Sequence, residues 1–173
     1  MKSIFKAACT ISITTALGLF TLVSAPLAFA HADKPHAATK KSISADEHAW
    51  GREGDPKRAT RSIEIRMTDN MRFAPDKIEV KQGETVKFVV TNNGMVMHEM
   101  VIGTKEELAK HAAMMKKHPN MEHDEPYMSH IAAGKKGDMV WHFTKTGTFE
   151  FACLIPGHFE AGMRGSIRVS PNK

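Results

Sequence analysis

The chain has 173 residues, 25% of them charged, and its formal net charge at pH 7 is +5. This mild excess of Lys and Arg forms no arginine-rich run, so the composition does not indicate a nucleic-acid-binding protein. Beyond the N-terminus, no segment is apolar for long enough to span a bilayer, so we expect no stable membrane insertion.

The first 30 residues have the pattern of a secretory signal peptide. Lys2 and Lys6 precede an uncharged run of apolar and small residues over 7–23, and the segment ends on the small-x-small sequence AFA at Ala30. An uncleaved membrane anchor is the alternative, but the apolar run is short for one. We therefore expect export to the periplasm and cleavage near Ala30, which lowers the net charge from +5 to +3 because two lysines and no acidic residue are lost.

Only one of the two cysteines would remain after cleavage, because Cys9 lies in the predicted signal peptide and Cys153 does not. A single thiol cannot close an internal disulfide. In an oxidising compartment it is protected either by metal ligation or by burial as an inert side chain. Both readings are open at this point.

Residues 31–60 are polar and show neither a helical nor a strand period, which predicts a flexible polar tail. Trp50 is the exception and offers a side chain that could dock the tail on the following domain. From Ser62 onward, apolar residues alternate with polar ones in short runs separated by glycine-containing turns. These runs predict strands at 62–67, 77–81, 85–91, 98–103, 137–143, 148–153 and 165–170.

Short strands at this spacing predict an all-β fold, an antiparallel sandwich or barrel, for one domain over residues 61–173. An insert at about 104–130 interrupts the strands. Thr104 and Glu107 form a capping box, and the helix-forming run that follows should stop before Pro119. We therefore expect a short helix rich in His and Met, followed by an irregular stretch.

The sequence FACLIPGHFEAGM carries three metal-binding side chains at regular spacing. Four residues separate Cys153 from His158, and four more separate His158 from Met163. His98, at the start of a predicted strand, offers a second imidazole. Two His, one Cys and a weak axial Met suit a mononuclear electron-transfer copper site. Zinc is the alternative, although it gains little from a thioether.

Two stretches, FAPDKIEVKQGETVKFVVTNNGMVMHEM and GTFEFACLIPGHFEAGMRGSIRV, resemble the two halves of a cupredoxin, a blue-copper domain. The resemblance covers 62–169 except the insert, and it implies a Greek-key β-sandwich. It also implies that one type 1 copper is the cofactor, with His98, Cys153, His158 and Met163 as ligands. The loop spacing is similar to that of rusticyanin and auracyanin. The insert and MHEMVIG look most like periplasmic copper-tolerance cupredoxins of the CopI type.

Two positions depart from the family pattern. Glu99 stands where many members have an Asn or Ser that hydrogen-bonds the cysteine loop, so the tuning of the site is not predictable from the resemblance. Met97 stands where azurin-like members have a glycine whose carbonyl approaches the metal. We therefore expect no carbonyl ligand.

The insert is dense in soft ligands. On the predicted helix, His111, Met114, Met115 and His118 are spaced i, i+3, i+4 and i+7, which predicts one shared face. With neighbouring residues they could form an auxiliary, labile copper site, whose candidate ligands are His111, Met114, Met115, His118, Met121 and His123. The alternative is that Leu108, Ala112 and Met115 pack the helix on the domain. The sequence leaves both open.

Two functions follow from such a site. The first is binding and redox cycling of copper in the periplasm, contributing to copper tolerance, and the soft-ligand insert favours it. The second is a dedicated carrier of single electrons between periplasmic redox partners. A type 1 centre alone has no open position for substrate, so we expect no enzyme, with cuprous oxidation open if the insert delivers Cu(I). We further expect the protein to be a monomer that binds copper ions and contacts a redox partner protein transiently.

Overall fold

The computed structural model describes residues 42–119, 121 and 123–172. The predicted signal peptide at 1–30, its cleavage site near Ala30 and the first part of the predicted tail lie outside the described residues. No helix within the described ranges is both long enough and apolar enough to cross a membrane.

Two five-stranded sheets form a β-sandwich. The first sheet has the spatial order β1 (Arg52–Glu53), β8 (Lys136–His142), β5 (Thr85–Asn92), β2 (Arg61–Thr68) and β3 (Arg72–Ala74). The second has the order β4 (Lys77–Lys81), β10 (Arg164–Ser170), β9 (Gly147–Ala152), β6 (His98–Gly103) and β7 (Met128–Ile131).

Alternate side chains of both sheets fill the space between them. Ile65 of β2, Phe88 of β5 and Trp141 of β8 are completely buried in the same cluster as Phe151 of β9 and Ile167 of β10. Strand residues alternate between the two faces of a sheet, so the period-two pattern of the sequence marks this inner face. The predicted all-β sandwich with a short helical insert is confirmed.

Each sheet also contains one parallel pair of strands. β2 runs parallel to β5, with Ile65 opposite Val90, and β4 runs parallel to β10, with Ile78 opposite Ile167. The prediction of an antiparallel sandwich is therefore wrong for these two pairs. Period-two alternation reports the face that a side chain occupies, but it carries no information on strand direction.

Residues before the predicted domain boundary at 61 already pack with the sandwich. β1 extends the first sheet by pairing with β8, and the buried Trp50 accepts a hydrogen bond at its carbonyl from Trp141 Nε1 at 2.9 Å. Gly51 between them has a φ of 119°, and an added Cβ would lie 2.1 Å from the His142 carbonyl oxygen. The residues next to Trp50 therefore belong to the domain rather than to a flexible tail.

The predicted helix is present as α1 (Lys105–Lys117), and its capping box is formed as expected. The Thr104 hydroxyl accepts a hydrogen bond from the Glu107 backbone N–H at 3.2 Å. One side of α1 is buried against the outer face of the second sheet through Leu108, Ala112 and Met115. Val101 of β6 contacts this side of α1, whereas Met100 and Ile102 belong to the main core. The helix therefore lies behind β6 and β9.

The predicted insert ends earlier than residue 130. Residues 128–131 form β7, which pairs with β6 and places His130 opposite Glu99. The sequence MSHI is short and half polar, so it gave no strand signal of its own. Its pairing depends on a partner strand about thirty residues away along the chain, which a local pattern cannot reveal.

Candidate metal centre

Two neighbouring strands bring the predicted ligands to one end of the second sheet. His98 is the first residue of β6, and Cys153 directly follows the last residue of β9. The two strands are antiparallel, with Val101 opposite Ala152, so the start of one lies beside the end of the other. Strand register thus positions the first imidazole next to the thiol.

The loop between β9 and β10 is closed by its own backbone. The Cys153 N–H donates to the Met163 carbonyl at 3.1 Å, and the Met163 N–H donates to the His158 carbonyl at 3.1 Å. Gly157 and Gly162 have φ values of 91° and 85°, a region that favours glycine. These turns hold the three predicted ligands of the loop close together.

Three donor side chains converge on one point. His98 Nδ1 lies 3.2 Å from His158 Nδ1, and Cys153 Sγ lies 3.3 Å from the same His158 atom. One ligand atom from each residue lies within 4.8 Å of the others. His98 and Cys153 are buried and His158 is half-buried, and Met163 is completely buried in the same core cluster as the cysteine.

This donor set fits copper. A buried thiol beside two imidazole nitrogens is the equatorial set of a mononuclear electron-transfer copper site, and a thioether is its weak axial ligand. Without a metal, burial raises the pKa of the Cys153 thiol to about 12. Burial also lowers the pKa of His158, and the neighbouring His98 adds to that effect. The imidazole is therefore ready to ligate, while the thiol holds a proton that a metal must displace.

An acidic residue from another strand connection orients the first histidine. Asp69 Oδ1 lies 3.0 Å from His98 Nε2, and Asp69 Oδ2 accepts a hydrogen bond from the Met95 backbone N–H at 2.7 Å. That backbone hydrogen bond is the main cause of a lowered pKa of the Asp69 carboxyl. A carboxylate at Nε2 favours the tautomer that leaves Nδ1 free for the metal. Sequence reasoning missed Asp69, because nothing in its local pattern relates it to His98.

Glu99 contacts the cysteine loop twice. Its backbone N–H points at Cys153 Sγ at 3.5 Å, and its Oε1 accepts a hydrogen bond from the Leu154 N–H at 2.7 Å. Its Oε2 lies 2.9 Å from His130 Nε2, and the whole residue is buried. The glutamate that departs from the family pattern therefore makes the hydrogen bond to the cysteine loop that Asn or Ser was expected to make.

The pairing of His130 with Glu99 should make stability depend on pH. The hydrogen bond that the His130 ring donates to the Glu99 carboxylate raises the pKa of His130 above its ordinary value of 6.5. A raised pKa means that folding favours the protonated form of His130. The contribution of this pair to the free energy of unfolding is therefore complete below pH 6.5 and is lost as pH rises through the folded-state pKa. In urea unfolding of the metal-free protein, His130→Gln should lower the free energy of unfolding more at pH 6 than at pH 8.5. The exposed His118→Gln serves as control, and a cost that grows with pH would contradict the assignment.

The predicted auxiliary ligands on α1 differ in burial. Met115 is buried under the helix, whereas Met114 and His118 are exposed, so Met115 belongs to the packing of the helix on the domain. The apolar stripe that includes Met115 decides the orientation, because burial of that stripe anchors the helix. The structure instead brings His111 and His123 together, with their Nε2 atoms 2.7 Å apart. Met121 is exposed in the segment after the helix.

Comparison with known proteins agrees with this site. Residues 59–170 match the family of copper-binding proteins described as plastocyanin/azurin. A copper-resistant cuproprotein CopI from Rubrivivax gelatinosus is 47% identical over 144 residues, covering 81% of this chain and 87% of the relative. A protein of the same description from Pseudomonas aeruginosa is 34% identical over 163 residues, covering 78% and 90%.

Solved structures show the same fold. Auracyanin B aligns with a TM-score of 0.59 at 20% identity, covering 72% of this chain and 97% of that one. The reduced auracyanin of Roseiflexus castenholzii aligns with a TM-score of 0.57 at 22% identity, covering 65% and 99%. With its sandwich, its converging thiol and imidazoles and its match over residues 59–170, the chain belongs to the plastocyanin/azurin family of copper-binding proteins.

Proposed function

We propose that this chain is an exported type 1 copper protein that binds and redox-cycles copper in the periplasm and contributes to copper tolerance. Its ligands are His98, Cys153, His158 and Met163. The convergence of the buried thiol and two imidazoles within 4.8 Å is the observation that carries the proposal. The relatives described as copper-resistant cuproproteins support the physiological role, and the signal-peptide pattern supports export.

Copper in such a site supplies one-electron redox chemistry. The protein's own contribution is to hold the donors rigidly and to exclude water. Cys153 and Met163 are each completely buried, and the loop that carries them is fixed by backbone hydrogen bonds. Asp69 orients the His98 ring, and Glu99 holds the backbone next to Cys153 through its hydrogen bond with the Leu154 N–H. A preorganised donor set changes little between oxidation states, which favours rapid electron transfer.

A dedicated electron carrier is the second candidate, and one observation favours it. Met95, Val96 and Met97, in the loop before His98, are exposed large apolar residues. With the half-buried His158 they give the site an apolar approach on which a redox partner could dock transiently.

Growth of a deletion strain of the source organism distinguishes the two functions. We expect the loss of this gene to sensitise cells to added copper and to leave respiration unchanged. A plasmid copy of the wild-type gene should restore growth in copper, whereas the Cys153→Ser variant should not, because it lacks the thiolate ligand. Immunoblots of periplasmic fractions establish that both proteins are exported at equal levels. A deletion that blocks respiration and leaves copper tolerance intact would establish the electron carrier instead.

A further inference from the structure

We propose that His111, His123 and Met114 form a second metal site, specific for Cu(I), at the insert helix. This site shares no ligand with the type 1 centre and goes beyond the function proposed above. His111 and Met114 are three positions apart on α1, so they project from neighbouring positions on the helix surface. His123 comes from the irregular segment that follows the helix.

The two imidazoles already face each other. Their Nε2 atoms are 2.7 Å apart, and the ring centroids lie 4.7 Å apart at an interplanar angle of 47°. Two nitrogens at this distance share a hydrogen bond, in which one ring donates and the other accepts. At least one nitrogen lone pair therefore points into the space between the rings, where a metal would bind.

A backbone carbonyl fixes which ring accepts. His123 Nδ1 lies 3.3 Å from the Met121 carbonyl oxygen, which can only accept a hydrogen bond. The proton of neutral His123 is therefore placed on Nδ1, and its Nε2 carries the lone pair. Metal-binding histidines are commonly oriented by this kind of contact at the other ring nitrogen. His111 then needs only to move its proton to Nδ1 for both rings to ligate.

The third ligand lies in the same groove. A groove of about 430 Å³ is lined by His111, Met114 and His123, and its other lining residues include the aromatic Trp50 and Tyr127 and the acidic Glu107 and Glu125. Met114 is 40% exposed, so its thioether is not needed by the core that holds Met115. Of the two adjacent methionines, Met115 therefore packs in the core and Met114 remains available as a ligand.

The donor chemistry selects the metal. Two neutral imidazoles and a thioether suit Cu(I), which favours soft ligands and low coordination numbers. Zn²⁺ generally takes four donors and gains little from a thioether. A metal–imidazole bond is about 2 Å long, so the two nitrogens must separate by roughly an ångström on binding. His123 lies outside the helix and the strands, so it can make this movement without disturbing either.

Cu(I) stoichiometry in competition with the chelator bicinchoninate tests the site. The full mature protein is titrated without oxygen, and His111→Ala should bind one Cu(I) fewer than the wild type. His118→Ala, which removes an exposed histidine of the same insert, should bind as many as the wild type. The same loss of one Cu(I) is expected when His111→Ala is added to Cys153→Ser, so the result does not depend on the type 1 centre.

The visible spectrum of His111→Ala loaded with Cu(II) shows whether the rest of the protein is intact. We expect its intense band to be unchanged, which separates loss of the second site from failure of the first. Equal Cu(I) binding by His111→Ala and the wild type would overturn the proposal. So would equal losses in His111→Ala and His118→Ala, or Zn²⁺ that displaces the Cu(I) bound at His111.

Discussion

The Cys153→Ser protein is expected to lose the intense visible absorption of the copper-loaded wild type. That band arises from charge transfer between a thiolate and Cu(II), and a serine hydroxyl cannot supply it. Serine is close to cysteine in size, and Cys153 is completely buried, so the fold should persist. Visible and electron paramagnetic resonance spectra, recorded with copper stoichiometry on the same samples, measure the change. A Cys153→Ser protein with the wild-type band would refute the ligand assignment.

Met163→Leu is the matched control, because it changes the proposed axial ligand, a buried residue of the same loop, to an apolar side chain of similar volume. The axial thioether is a weak ligand that tunes the site. The variant should therefore keep its copper and its intense band. Its reduction potential should rise, since a donor that stabilises Cu(II) is lost, and voltammetry measures this shift. A Met163→Leu protein that cannot hold copper would show that the thioether is a principal ligand.

The convergence of the thiol and the imidazoles was predictable because most of these residues carry local signals. Cys153, His158 and Met163 lie in one loop at fixed spacing, and the strands on either side of it have clear alternation. His98 was assigned by resemblance to a family pattern, and the register of β6 with β9 places it beside the thiol. Such features can be read from the sequence because residue spacing, strand alternation and side-chain chemistry are each encoded within a few residues.

The surroundings of the site were not predictable, because they depend on contacts between distant parts of the chain. Asp69 reaches His98 from the turn after β2, and His130 reaches Glu99 through a strand that the sequence did not reveal. His111 and His123 meet only because the chain folds back after α1. Residue type suggested that these groups could ligate or hydrogen-bond, but only the fold selects the partner of each.

Glu99 also relates the main centre to the insert. Its carboxylate joins the Leu154 N–H, next to the cysteine, to His130 on β7. The His130 ring in turn lies 6.2 Å from that of His123, measured between centroids. A buried carboxylate with two partners transmits a shift of either one to the other, since it cannot relax toward solvent. We therefore expect Glu99 to affect both the stability of the domain and the properties of the copper site.

Glu99→Ala should destabilise the metal-free protein by about 1–3 kcal/mol, because the Leu154 N–H is left buried without an acceptor. Glu99→Gln keeps an oxygen acceptor for that N–H and loses only the charge beside His130, so its cost should be smaller and confined to lower pH. Urea unfolding at pH 6 and pH 8 measures both variants. Glu106→Gln changes an exposed pair on the helix and is the control, because a solvent-screened surface pair contributes little to stability.

The reduction potential of the loaded protein separates a structural role of Glu99 from a tuning role. Removal of the Leu154 hydrogen bond frees the backbone next to Cys153, so Glu99→Ala should shift the potential more than Glu99→Gln does. If Glu99 only filled space, both variants would keep the wild-type potential whatever their stability. Equal unfolding free energies for the two variants at pH 8 would show that the Leu154 hydrogen bond contributes nothing, and the link between the cysteine loop and His130 would have to be abandoned.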